Sequence, residues 1–148
     1  MRGTEKFLTT LTALSVLTLI FVSSSPAGPD FKTIDTARLH SLVMDNAYSL
    51  EAGRGTRHAI VDARTKENYN EAHIASTISI PEADFEKSSA LLPNDKREPL
   101  VVYGDDATDE SNGKWADKAA AAGYTNIVVY AEGFAAWEKN RMPAAPLR

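Results

Sequence analysis

The sequence contains no cysteine, and its histidines number three. Without cysteine there is no disulfide, no thiolate nucleophile and no residue for lipid acylation. His40, His58 and His73 form neither an H-E-x-x-H nor an H-x-H pattern, so zinc-hydrolase chemistry has no recognisable ligand spacing. No Lys/Arg cluster stands out and the formal net charge is −4, which excludes a nucleic-acid binder of the basic-patch kind. No repeat or low-complexity tract interrupts the chain. What is present is 148 residues with 43% hydrophobic content, enough for one packed domain that holds without a disulfide.

The N-terminus has its own character. Arg2 and Lys6 precede an uncharged apolar run, Phe7 to Val22, and then "SSSPAG". A basic start, an apolar centre and small residues ending at Ser25-Pro26-Ala27 are the order of a secretory signal peptide. Residues 1–27 are therefore expected to be cleaved after Ala27, and the product to be periplasmic or secreted. The alternative is a retained anchor. The run is shorter than the roughly 20 apolar residues a span needs and is diluted by Thr and Ser, so no stable membrane insertion is expected after cleavage. Cleavage removes Arg2, Lys6 and Glu5 and leaves a net charge of −5.

Residues 28–33 read as a polar lead-in, and residues 34–148 as the domain. Asp35 is a good N-cap for an amphipathic helix over "TARLHSLVMDN", with Leu39, Leu42 and Val43 on one face. "YSLEAGRGTR" reads as a loop, Ala59–Asp62 as a buried strand, and "TKENYNEAH" as a helix capped by Thr65. "STISIP" is a second strand and "EADFEKSSALL" a helical stretch. The unbroken apolar run Leu100–Tyr103 predicts a central parallel strand buried on both faces. "GKWADKAAAAG" follows as a helix with Gly123 at its C-terminal cap, then the strand "NIVVYAE" and the closing helix "GFAAWEKN". Trp115 and Trp137 read as core residues on helix faces. Tyr103 and Tyr130 end strands and are expected to line a pocket. Alternating strands and helices predict an α/β domain with a mainly parallel sheet, its ligand site beyond the carboxyl ends of the strands.

Four blocks carry a family likeness. "VDARTKENYNEAHI", "STISIP", "LVVYG…AAAAGYTNIVVY" and "EGFAAW…MP" stand in the order and spacing of rhodanese-like domains. The likeness runs from about Ile34 to Pro143. It implies a five-stranded parallel sheet with helices on both faces. It also implies a mechanism. In that family a cysteine after the V-V-Y strand carries sulfane sulfur from thiosulfate to an acceptor, and loop N–H groups stabilise the persulfide. In this sequence the position after Tyr103 is Gly104, and a persulfide needs a thiolate.

The loop that follows carries Asp105, Asp106, Thr108, Asp109, Glu110 and Ser111, with no cation in sequence until Lys114. Four carboxylates are expected to repel an anionic substrate. The segment 104–122 between Tyr103 and Gly123 is longer than the compact family loop, so the usual amide cradle is not required to form. Three readings of the acidic stretch stay open: a solvated loop tip, a Ca²⁺ or Mg²⁺ site lacking EF-hand spacing, and a protein-docking surface. Asp62 and Arg64 resemble family positions that brace the loop, and His73 resembles the family's H-I histidine, which makes the three candidates for bracing the pocket; a structural ion pair with a hydrogen-bonded histidine is the plainer reading. Glu132 replaces the first glycine of the family's G-G pair. The resulting expectation is an exported, cysteine-free rhodanese-like domain without sulfurtransferase activity. It would need no cofactor and would bind an unknown protein or small molecule. The alternative is an enzyme with a repurposed pocket that uses loop carboxylates or a bound divalent cation.

Overall fold

A computed structural model describes residues 30–145, so the expected signal segment lies outside the described residues. The strands are β1 (Lys32–Thr33), β2 (Ala59–Asp62), β3 (His73–Ile74), β4 (Ile78–Ser79), β5 (Leu100–Tyr103), β6 (Ile127–Tyr130) and β7 (Ala144–Ala145). The α-helices are α1 (Thr36–Glu51), α2 (Lys66–Glu71), α3 (Phe85–Ser88), α4 (Ser111–Ala121) and α5 (Gly133–Lys139). The main sheet has five strands in the order β1-β6-β5-β2-β4, every neighbouring pair parallel. β3 and β7 form a separate antiparallel ribbon.

Strand alternation sorts the apolar side chains into two cores. Val61, Leu100, Val102, Ile127 and Val129 face one core, with Trp115, Ala116 and Ala119 of α4 and with Phe85 and Leu92. Ile60, Val101, Tyr103 and Tyr130 face the other, with Leu39, Leu42 and Val43 of α1 and with Phe134 and Trp137 of α5. Both tryptophans are fully buried, as their helix-face spacing predicts. Helices thus cover both faces, which is why β5 is apolar at every position.

The structure corrects three boundaries. The supposed lead-in 28–33 contains β1, whose Lys32 and Thr33 pair with Val128 and Val129. Both β1 side chains are exposed, so no apolar pattern marks the strand. The supposed loop from Tyr48 begins later, because α1 continues to Glu51 and turns at Gly53 (φ 70°). Only a residue that tolerates positive φ fits that turn cheaply. The segment 104–122 is not a long loop: α4 starts at Ser111 and leaves a compact turn of residues 104–110.

Because the main sheet is parallel, the strand ends lie along one edge. Ser79, Asp62, Tyr103 and Tyr130 stand side by side in register as the last row. The turn 104–110 and the N-terminus of α5 rise directly from that row.

Candidate functional site

Asp62 anchors the row. It has no exposed surface, and its carboxylate accepts from the Tyr103 hydroxyl (2.5 Å), from Arg64 Nη2 (2.7 Å) and from Arg64 Nε (3.0 and 3.2 Å). A buried charge tolerates this only when it is paired and its lone pairs are filled. Burial, and then the Asp62 charge, hold the Tyr103 phenol well above its ordinary pKa. Arg64, its side chain 3% exposed, reaches further. It donates to the Ala72 carbonyl (2.7 Å), lies over the Phe134 ring (4.0 Å) and comes within 3.6 Å of Asp105. Burial lowers the Arg64 pKa, but hydrogen bonding to Asp62 and the surrounding negative charge raise it overall. The Asp62–Arg64 pair therefore ties β2, α2, α5 and the turn together.

His73 is placed differently. Its Nδ1 is 3.0 Å from the Tyr69 carbonyl, and its ring stacks on Tyr69 at 3.9 Å. Its strand pairs with Ala144–Ala145. Its contacts are those of the plainer reading, a hydrogen-bonded structural residue. Tyr103 and Tyr130, expected to line a pocket, are fully buried and do not. Tyr103 is spent on Asp62 and on the Ile74 N–H (3.2 Å), and Tyr130 lies 2.7 Å from the Thr36 hydroxyl. Thr36 also donates to Glu132 (2.8 Å), so the residue that replaces a family glycine has a local role.

The four loop carboxylates do not converge. Asp105 accepts from Asn68 Nδ2 (3.1 and 3.2 Å) and faces Arg64. Asp106 accepts from the N–H and hydroxyl of Thr108 (2.7 and 2.6 Å), and these bonds hold its carboxyl below the usual range. Glu110 turns outward to Lys114 (2.9 Å). Asp109 turns inward. Its Oδ2 accepts from the Asp105 N–H (2.7 Å) and the Ser111 hydroxyl (2.7 Å), and its Oδ1 from the Ser111 N–H (2.8 Å). Burial pushes the Asp109 carboxyl up, but these donors outweigh it and the net direction is down. Among the described residues, no group of three His, Cys, Asp or Glu side chains is placed to hold a metal ion. In sequence no cation precedes Lys114, which pairs with Glu110, but the fold also brings Arg64 within 3.6 Å of Asp105.

Gly104 sits in the middle of this arrangement. A Cβ at Gly104 would run into the Asp109 carboxylate oxygen and would lie 3.0 Å from Ser111 Oγ. The place a side chain at 104 would occupy is filled by Asp109.

α5 clamps the turn from the other side. The N–H groups of Phe134 and Ala135 donate to the carbonyls of Gly104 (2.9 Å) and Asp105 (2.8 Å). Gly133 (φ 71°) makes the approach possible, because a Cβ there would lie 2.6 Å from the Asp106 backbone. Between α2, α5 and the turn lies an open cleft of about 350 Å³, lined by Arg64, Asn68, Asp105, Asp106, Phe134 and Glu138 among others. Sequence reasoning singles out neither Asn68 nor Phe134 for the site. Asn68 falls inside a short polar helix with no distinguishing pattern. Phe134 belongs to the "EGFAAW" block, which gave the only signal.

Among known proteins, the rhodanese-like domain family model matches residues 46–140. The rhodanese-like domain of the Alr3790 protein from Anabaena sp. is 25% identical, covering 79% of this chain and 80% of that one at a TM-score of 0.60. The BH2092 protein from Bacillus halodurans is 23% identical over 78% of this chain and 77% of that one, TM-score 0.60. A thiosulfate sulfurtransferase from Pseudomonas aeruginosa shares the fold at 18% identity and TM-score 0.59, covering 80% of this chain and 21% of that longer protein. No curated protein matches the sequence at a significant level.

Proposed function

The chain belongs to the rhodanese-like domain family, and from that premise we propose that it is an exported member without sulfurtransferase activity that serves as a binding or scaffold module. One observation carries the reading: the nucleophile position is Gly104, and the Asp109 carboxylate occupies the space its side chain would need. Sulfur transfer through a persulfide requires a thiolate on the protein, and this sequence contains no cysteine. Export rests on the Arg2–Ala27 pattern. Among the described residues, no helix is long and apolar enough to cross a membrane.

The partner, a protein or a small molecule, would engage the cleft above Arg64. Its rim of Asp105, Asp106, Glu71 and Glu138 disfavours anions. The repurposed-enzyme alternative draws little support from the site, because each loop carboxylate is directed to a different protein partner.

The test is an assay of purified residues 28–148 with thiosulfate and cyanide, beside a cysteine-bearing rhodanese. No thiocyanate above buffer is expected. Turnover near that of the control would end the proposal. The binding arm uses capture from the exported fraction, comparing the unmodified chain with a Glu71→Lys/Glu138→Lys variant. A specific partner lost by the variant is expected, and equal retention by both would remove the cleft from the argument.

A further inference from the structure

We infer that the Asp109 carboxylate is a resident plug: it closes the 104–110 turn to any side chain at position 104 and to any external anion. Two observations meet at the same atom. Asp109 Oδ2 accepts the Asp105 N–H and the Ser111 hydroxyl. That same oxygen would collide with a Cβ built on Gly104. Gly104 is not one of the glycines with positive φ, so its backbone suits an ordinary L-residue. What forbids a side chain there is Asp109, with Ser111 beside it. The glycine at 104 and the aspartate at 109 are thus a coupled pair, each occupying what the other leaves.

The contact is held from two further directions. The Ser111 N–H at the start of α4 donates to Oδ1, and an anion is favoured at a helix N-terminus. The α5 N–H groups hold the carbonyls of Gly104 and Asp105, which fixes the turn against opening. An external anion would have to displace a carboxylate already tethered to the site, whose effective concentration is far above that of any free ion.

The experiment combines a double-mutant cycle with an anion titration, and neither readout involves catalysis. Gly104→Ala, Asp109→Ala and the double variant are compared with the unmodified chain by thermal unfolding. Overpacking should lower the Tm of Gly104→Ala by roughly 5–10 °C. The same substitution on the Asp109→Ala background should cost less than about half of that. Additive losses would overturn the inference.

Sodium sulfate is then titrated against ¹⁵N-labelled protein. The Asp105 and Ser111 amide resonances should move in Asp109→Ala and stay still in the unmodified chain. Equal movement in both would show that the contact does not exclude anions. A folded Asp109→Ala whose amides ignore sulfate would show that it was not the barrier. Asp109→Asn, which keeps the bulk but removes the charge, covers a collapse of the alanine variant. It should retain the clash with Gly104→Ala, and relief of that clash would count against the steric half of the inference. Failure of the proposed binding role would leave all these readouts unchanged, so the two claims fall separately.

Discussion

Asp106 and Asp109 are three positions apart and use their carboxylates in opposite ways. Asp106 is exposed and accepts from its own turn, whereas Asp109 is half-buried and gathers donors from both ends of the turn. The pH dependence of Asp109 follows from its direction. A carboxyl held below its unfolded pKa stabilises the fold above that value and loses the contribution as pH falls through the folded pKa. The Tm gap between the unmodified chain and Asp109→Asn should therefore be widest near neutrality and close below about pH 4. A gap that stays constant down to pH 3 would mean that the charge contributes nothing.

The same residue decides what a cysteine introduced at position 104 could do. Gly104→Cys alone should transfer little sulfur, since the new side chain meets an anion that disfavours the thiolate and already holds the stabilising N–H groups. Adding Asp109→Ala should lower the thiol pKa relative to the single variant. A low thiol pKa in the single variant would show that Asp109 swings aside.

At the scale of elements, what could be read in advance follows a physical divide. β2, β5 and β6 were visible because buried parallel strands need unbroken apolar runs. α1, α2 and α4 announced a cap or a terminal glycine: Asp35 accepts from Arg38 N–H, Thr65 from Asn68 N–H, and Gly123 takes φ 95° after α4. β1 was invisible because its two side chains are exposed and its stability comes from backbone pairing. The glycine at 104 is legible in the sequence, whereas Asp109 is not distinguishable there from its acidic neighbours. Which of four carboxylates turns inward depends on the path of the turn, and no periodicity encodes that.

Two elements also depend on single residues. Gly133→Ala places a methyl against the Asp106 backbone at positive φ, and a loss of about 1–3 kcal/mol is expected in denaturant unfolding. The amide resonances of Phe134 and Ala135 should report the broken clamp, and an unperturbed spectrum would contradict it. Asn46 is fully buried. It donates to the His58 carbonyl and accepts from the N–H groups of Arg57 and His58 (both 2.8 Å), fixing the entry to β2. Asn46→Ala leaves these groups unpaired at about 1–3 kcal/mol, measurable in the same way, and a loss below about 0.5 kcal/mol would show that water replaces the side chain.

The whole molecule is closed at its N-terminal side by a short clip. Phe31 packs against the core under α4, and Ile34 against the core under α1 and α5. Between them Lys32 and Thr33 pair with β6, and Ile34 N–H donates to the Val129 carbonyl (3.1 Å). Segment 31–34 thus touches both cores and covers an edge that β6 would otherwise expose. The proposed export signal must respect this. A cut after Ala27 leaves Gly28–Asp30 ahead of the clip, whereas a cut within 31–34 would remove part of it. Mass spectrometry of the exported protein should accordingly find an N-terminus at Gly28. Recombinant residues 28–148 should unfold at a higher temperature than residues 35–148. Two partly buried apolar side chains and the β1 pairing support a gap of about 5–15 °C. The shorter protein should also self-associate more readily through the exposed β6 edge, read by light scattering during the same melt. Equal melting temperatures would show that the segment merely lies on the surface. A mature N-terminus beyond Ile34 in a stable exported protein would separate the export proposal from the fold, because the domain would then hold without its fifth strand.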